Sequence, residues 1–225
     1  MNCRLPFNNM SARDNILGNI RAALARNRPL SESEATAVRT SLRDPRRGPL
    51  PTMNWELAAR FRERCLSLSS TVDDVTSFEE VPVAVKRYLA SNGLPHACVC
   101  WPQLAELDWA GVGLAVEARP AKAEDAVGIT GAFCAIAETG TLVLLSGAGR
   151  HMTSSLLPET HIAVVPVARI LRCMEDSWDL LRAEQGQLPR QVVFVSGPSR
   201  TADIEMTLVL GIHGPYRVHV ILVSA

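Results

Sequence analysis

Apolar residues recur along this chain in two kinds of pattern, and the alternation of the two patterns predicts helices interleaved with strands. Helical spacing, with apolar residues three or four positions apart, runs through residues 11–25, 55–68, 77–93 and 167–184. Short continuous apolar runs, typical of buried strands, occur at 97–101, 114–117, 133–137, 141–146, 161–166, 191–195 and 218–223. Continuous apolar strands favour a largely parallel sheet that is covered on both faces.

The strands at 133–137 and 141–146 are separated only by Glu138, Thr139 and Gly140. A parallel crossover needs a dozen or more residues, so these two strands form an antiparallel hairpin. The predicted fold class is therefore α/β, with a mixed, mostly parallel sheet and helices on both faces.

Local signals mark where several helices begin. Ser11 followed by Asp14 begins the first helix, and Ser77 followed by Glu80 has the spacing of a capping box. The fourth helical segment, 167–184, carries an apolar stripe that predicts burial. The stripe consists of Ile170, Met174, Trp178 and Leu181.

The N-terminal segment differs from the rest of the chain. Its first helix has one narrow apolar stripe, Ile16, Ile20 and Leu24, which suits docking on the domain, on another subunit or on a partner. Residues 27–51 are rich in Pro and Arg with little periodicity, which is typical of a linker. The predicted domains are an N-terminal helix with its linker, 1–51, and an α/β domain, 52–225.

Composition narrows the class of protein. The chain has 225 residues, of which 47% are hydrophobic and 20% charged, so it can bury a core. Its net charge is zero, which argues against nucleic acid as the main partner. The first 50 residues hold 9 Arg and 4 acids, or +5, and the others hold 14 bases and 19 acids, or −5. No apolar run has the length of a membrane span or of a signal peptide, so we expect a cytoplasmic protein.

The six cysteines contain no C-x-x-C pair, and most lie in apolar runs. Buried free thiols are typical of such positions. We therefore expect this chain to bind no metal, no cofactor and no iron–sulfur cluster by itself.

Three polar turns border the predicted strands: Glu138–Gly140, Ser196–Thr201 and Gly211–Pro215. They are candidates for a ligand site, because sites in open α/β sheets form at strand ends. Glu138 and His213 are the candidate catalytic residues, although no catalytic role is fixed by the pattern. The candidate substrate-binding residues are Thr139, Gly140, Ser196, Gly197, Ser199, Arg200, Thr201 and Gly214.

Each candidate has a structural alternative. Gly140 either permits close ligand approach or supplies the positive φ of a hairpin turn. Arg200 either recognises a small anion or pairs with Asp203 or Glu205 on the surface. The loop from Gly147 through Ser155, which includes Arg150, is polar enough to act as a lid.

Three segments together resemble a known family. They are GITGAFCAIAETGTLVLLS, SSLLPETHIAVVP and VVFVSGPSRTADIEMTLVLGIHGPYRVHVILV, and they are similar to the LUD domain found in lactate utilization protein C. The amphipathic start SARDNILGNIRAAL is similar as well. The resemblance implies a fold related to sugar-phosphate isomerases (NagB and RpiA) and CoA-transferases. It carries over no catalytic residue.

The resemblance implies a function in oxidising L-lactate to pyruvate. In that setting the chain is a ligand-binding or assembly subunit beside partner proteins that hold iron–sulfur clusters, and a homo-oligomer is possible. Two alternatives remain open: a free-standing enzyme acting on a phosphorylated or acyl-CoA substrate, and a non-catalytic adaptor.

Overall fold

The structure is a computed structural model that describes residues 11–25, 28–43, 47–204 and 206–224. The chain divides into two compact units, Met1–Leu50 and Pro51–Ala225. None of the described helices is long and apolar enough to cross a bilayer.

The first unit contains two helices, α1 (Ala12–Ala23) and α2 (Glu32–Arg43). As predicted, Ser11 caps α1, because its Oγ accepts from the Asp14 amide at 3.2 Å and donates to the Asp14 carboxylate at 2.7 Å. The linker prediction is wrong for α2. Ser31 and Glu34 form a reciprocal capping box, in which the Ser31 amide donates to Glu34 Oε2 at 2.7 Å.

The second unit alternates helices and strands. Its helices are α3 (Leu57–Ser67), α4 (Val81–Ser91), α5 (Thr153–Leu156) and α6 (Met174–Glu184). Its strands are β1 (Thr71–Val75), β2 (Ala97–Cys100), β3 (Ala115–Ala118), β4 (Val127–Gly131), β5 (Cys134–Ile136), β6 (Thr141–Leu145), β7 (Thr160–Pro166), β8 (Ile170–Leu171), β9 (Val192–Val195), β10 (Arg200–Ile204), β11 (Thr207–Leu210) and β12 (Arg217–Val223).

The central sheet has six strands in the order β1-β12-β7-β4-β2-β3, and every pair in it is parallel. This confirms the predicted α/β class with a mostly parallel sheet. The β5–β6 hairpin is antiparallel as predicted, but it lies in a second sheet, β8-β5-β6-β9. The strands β10 and β11 form a separate hairpin.

The two sheets pack face to face because the central strands are apolar on both sides. On β7, Ile162 and Val164 face the cluster built around α4, whereas Ala163 and Val165 face α3 and the second sheet. The other side of the second sheet packs on α6. The layers are therefore, in order, α4, the parallel sheet, the second sheet together with α3, and finally α6. This stacking places an edge of the second sheet beside an edge of the parallel sheet.

Two local predictions are wrong. Residues 167–184 are not one helix: the backbone of β8 pairs with β5, and α6 begins only at Met174, whose side chain is 39% exposed rather than buried. Strand pairing overrides the helical spacing there. The predicted Ser77 cap is also absent, because Glu80 accepts instead from the Thr76 amide and hydroxyl, each at 2.8 Å.

Besides β8, four strands were not expected: β1, β4, β10 and β11. The sequence of β1 is TVDDV and that of β4 is VGITG. Acids and glycines interrupt the continuous apolar run by which the other strands were predicted. Both segments form strands because they pair with buried neighbours, β1 with β12 and β4 with β7. Arg200 and Thr201 were expected in a polar ligand-binding turn, and they begin β10, a strand paired with β11. Of the two acids beyond Arg200, Glu205 lies outside the described residues.

Two histidines are buried in the central sheet and are held neutral there. His161 is fully buried, and its Nε2 lies 2.8 Å from Thr130 Oγ1. His219 stacks on the Tyr88 ring at 3.9 Å, with Nδ1 2.8 Å from Thr71 Oγ1. Burial lowers the pKa of each imidazole to about 4. For His219 the Asp73 carboxylate partly opposes this lowering of the pKa.

We expect the free energy of unfolding to fall as the pH drops from about 6.5 toward 4. Unfolded histidine takes up a proton near pH 6.5, while these two remain neutral in the fold, so lower pH favours the unfolded state. The full effect is on the order of 3 kcal/mol for each histidine. Urea unfolding at pH 7.5, 6 and 5, where most carboxylates stay ionised, measures it. A free energy of unfolding that does not change across this range would contradict the two buried neutral imidazoles.

Candidate functional site

A cavity of about 300 Å³, here called the inner cavity, opens at the carboxyl edge of the parallel sheet. It is bordered by Trp101 after β2, by Gly131 at the end of β4 and by Pro166 at the end of β7. Parallel strands end at one edge, which is where α/β proteins form ligand sites. Phe133 and Leu145 contribute the wall from the second sheet.

A larger cavity of about 720 Å³, here called the outer cavity, lies beside the end of β6 and the start of β9. Ser146, His151, Arg190 and Gln191 supply its polar groups. The main-chain and side-chain bonds between Ser146 and Gln191, at 3.0 and 2.9 Å, hold the two strand ends together. No Asp or Glu lines either the outer or the inner cavity.

Arg150 borders both cavities. A tight turn positions it, with the Arg150 amide donating to the Gly147 carbonyl at 3.0 Å. The guanidinium lies over Gly147, where a Cβ would approach its Nη2 to 2.5 Å. Its Nε is buried without a hydrogen-bond partner among the described residues.

The loop proposed as a lid borders both cavities at Arg150 and the outer one also at His151 and Met152. It is anchored to β2, because Trp101 Nε1 donates to the His151 carbonyl at 3.0 Å. Gly149 also packs against Pro102, because a Cβ on Gly149 would lie only 3.0 Å from Pro102 Cγ. The contacts place the loop at the cavity mouth, and its motion stays a prediction.

The structure brings the sequence-predicted residues together. The Thr139, Thr141 and Ser196 hydroxyls form a chain with two oxygen–oxygen distances of 2.7 Å. Ser199 then joins the second and third turns: its amide donates to the Pro215 carbonyl at 2.9 Å, and its Oγ accepts from the His213 amide at 3.2 Å. The three predicted turns are therefore neighbours, and Gly214 also lies against Ser199.

This polar group lies at the opposite edge from the cavities. Arg200 Nη2 donates to the Leu68 carbonyl at 2.5 Å and to Ser69 Oγ at 2.8 Å, just before β1 begins. The strand β6 separates Gly140 from Ser146 by six residue steps, which at about 3.3 Å each set the Gly140 turn roughly 20 Å from Ser146. The predicted turns follow strands of the second sheet or precede β12, so they do not lie at the carboxyl edge of the parallel sheet.

Protein contacts account for several of the predicted residues. Gly140 has φ 68°, and a Cβ there would lie 2.7 Å from Arg64 Cβ, so its close approach is to α3. Gly197 has φ 78° and similarly abuts the Leu68 carbonyl. Arg200 contacts the α3–β1 connection through the Leu68 carbonyl. The side chains of Asp203 and Glu205, the alternative partners, lie outside the described part of the chain. Glu138 is half-buried, and its amide donates to the Arg172 carbonyl at 3.0 Å.

The described cysteines are buried free thiols. Burial raises the pKa of Cys65, Cys98 and Cys134 to about 12, and metals bind the thiolate form. Within the described part of the chain, no group of three or more His, Cys, Asp or Glu is placed to bind a metal ion. Cys3 lies outside the described residues.

The layered α/β fold and a cleft at the carboxyl edge that contains Arg150 define the class as an α/β protein with a candidate ligand site at that edge. The LUD domain family profile matches residues 103–223, which is more than half of the chain. The chain therefore belongs to the LUD domain family, as the sequence resemblance indicated.

Curated relatives carry the name lactate utilization protein C. The protein from Halalkalibacterium halodurans is 48% identical over 107 residues, 46% of this chain and 46% of that protein. The protein from Bacillus subtilis is 41% identical over 128 residues, 55% of this chain and 53% of that protein. The chain thus spans about half the length of the curated relatives it matches.

A solved structure is also similar. A DUF162 family protein from Deinococcus radiodurans aligns with a TM-score of 0.56 and 26% identity, covering 77% of this chain and 99% of that chain. The likeness supports the α/β fold described above.

Proposed function

We propose that this chain is the ligand-binding component of a lactate utilization system. In this proposal lactate or pyruvate binds in the inner cavity with its carboxylate on Arg150. The observation that carries the proposal is Arg150 itself, a guanidinium that lines the inner cavity at the carboxyl edge of the parallel sheet. The names of the relatives support lactate as the substrate.

The size and lining of the inner cavity suit such a ligand. A volume of about 300 Å³ is at the lower end of ligand pockets and exceeds what a three-carbon acid needs. Arg150 provides a planar fork that matches a carboxylate. Phe133 and Val164 offer apolar surface to a methyl group, and Gln103 offers an amide for the second oxygen function.

Oxidation of L-lactate to pyruvate releases two electrons, and we assign their acceptance to partner proteins with iron–sulfur clusters. The spacing of the cysteines supports this division, because the sequence contains no C-x-x-C pair of the kind that holds such clusters. The chain would then position the substrate or product within the assembly. Its N-terminal unit, with exposed Ile16, Ile20 and Leu24, offers an apolar stripe for association.

Purification of the native assembly tests this proposal. We expect tagged chain to co-purify with iron-containing proteins, and we expect the isolated chain, prepared without oxygen, to be colourless. Removing the chain should lower lactate oxidation by the extract, and adding it back should restore the rate. Stoichiometric iron and sulfide on the isolated chain, or lactate oxidation at an unchanged rate without it, would overturn the proposal.

A further inference from the structure

We propose that the outer cavity binds a phosphate-bearing group, held between Arg150 and Arg190. The proposal shares Arg150 with the proposed function, and it rests on that function only through this residue. It adds a second anionic subsite to the cleft and gives the larger cavity a ligand class of its own.

Charge distribution is the first argument. The chain beyond residue 50 has an excess of five acids, yet no Asp or Glu lines either cavity. Some arginines of this unit form ion pairs, such as Arg169 with Glu184 at 2.7 Å and Arg119 with Asp125 at 2.6 Å. Others donate to main-chain carbonyls, as Arg172 does to Met53 and Arg200 to Leu68. Arg150 and Arg190 have no ion pair with any described residue. Two uncompensated cations around one cavity favour an anion between them.

Size and donor type are the second argument. The outer cavity, about 720 Å³, has more than twice the volume of the inner one, so a three-carbon acid would leave most of it empty. Guanidinium groups bind phosphate oxygens through two parallel hydrogen bonds. His151 and Ser146 add further donors, and Gly147 carries no side chain to obstruct the approach to the turn. Leu188 and Pro189 form an apolar wall that suits the organic part of a phosphoester.

Calorimetric titration with inorganic pyrophosphate and with ADP tests this subsite. We expect at least one probe to bind the full chain and Arg190→Gln to weaken that binding tenfold or more. Arg182→Gln is the matched control, because it removes an equal charge from an exposed arginine that is 3.1 Å from Asp179. Pyrophosphate binding as tight as that of ADP identifies a bare diphosphate group as sufficient. Binding of ADP alone identifies a phosphoester with an organic part.

The outcomes separate this inference from the proposed function. Arg190→Gln should leave lactate and pyruvate binding unchanged, because Arg190 does not line the inner cavity. If neither phosphate probe binds, or if Arg190→Gln binds them as well as the unaltered chain, the phosphate subsite is wrong whatever lactate does. If a phosphate probe binds and responds to Arg190→Gln while lactate and pyruvate fail to bind, the proposed function fails and the subsite stands.

Discussion

Replacing Arg150 with glutamine should weaken the binding of lactate or pyruvate by roughly ten- to hundred-fold. A hydrogen bond to a charged group contributes about 1.5–3 kcal/mol, and among the described residues this guanidinium is the one cation that lines the inner cavity. Arg150→Lys keeps the charge but loses the planar fork, so it should bind at an intermediate level. Isothermal titration of the three proteins with pyruvate measures the effect.

The Arg150 variants should fold normally, because no described side chain depends on the guanidinium for a hydrogen bond. Thermal melts of each variant verify this. Arg182→Gln serves again as the control for the loss of one positive charge. Pyruvate binding that is unchanged in Arg150→Gln would show that the carboxylate does not rest on this residue.

Replacing Gly128 with alanine should destabilise the fold by about 3 kcal/mol or more, at the upper end for an overpacked core. A Cβ at this position would lie 1.9 Å from the Ser154 carbonyl oxygen and 3.0 Å from Pro158 Cγ. Backbone on both sides must then move, since the close atom belongs to the main chain of α5. Urea unfolding at neutral pH measures the loss.

Gly131, three residues further along the same strand, is the matched control. A Cβ there meets nothing within 4 Å. Gly131→Ala should therefore change the free energy of unfolding by less than about 1 kcal/mol, with a small gain from reduced freedom of the unfolded chain. Equal stability of the two variants would contradict the packing of α5 against β4.

The sequence could predict the fold class because the buried strands are long, apolar and uninterrupted. β7 and β12 have almost no polar positions, and their neighbours in the parallel sheet follow from that pattern. Of the strands that escaped prediction, β1 and β4 contain Asp or Gly and depend on pairing with β12 and β7. The other two, β10 and β11, pair with each other in a separate hairpin. β8 shows the same effect, since two residues in a helical pattern pair with β5 instead.

The site was harder to predict, because it depends on which sheet edge each turn occupies. The turns at Gly140 and Ser196 do follow or join strands, but these strands belong to the second sheet. Their polar groups therefore meet at the far edge, where Gly140 and Gly197 accommodate α3 and Leu68. A signal for Arg150 was present: an arginine follows Gly-Ala-Gly directly after β6. Its role as the cation of a cleft needed the packing of the two sheets.

The crystal structure of the chain with pyruvate tests the central claim most directly, because it distinguishes the cleft from the polar turns. We predict the pyruvate carboxylate within hydrogen-bond distance of the Arg150 guanidinium, with its methyl group toward Phe133 and Val164. Pyruvate bound instead between Arg200, Ser196 and Glu138 would restore the site first expected from the sequence and contradict the Arg150 site.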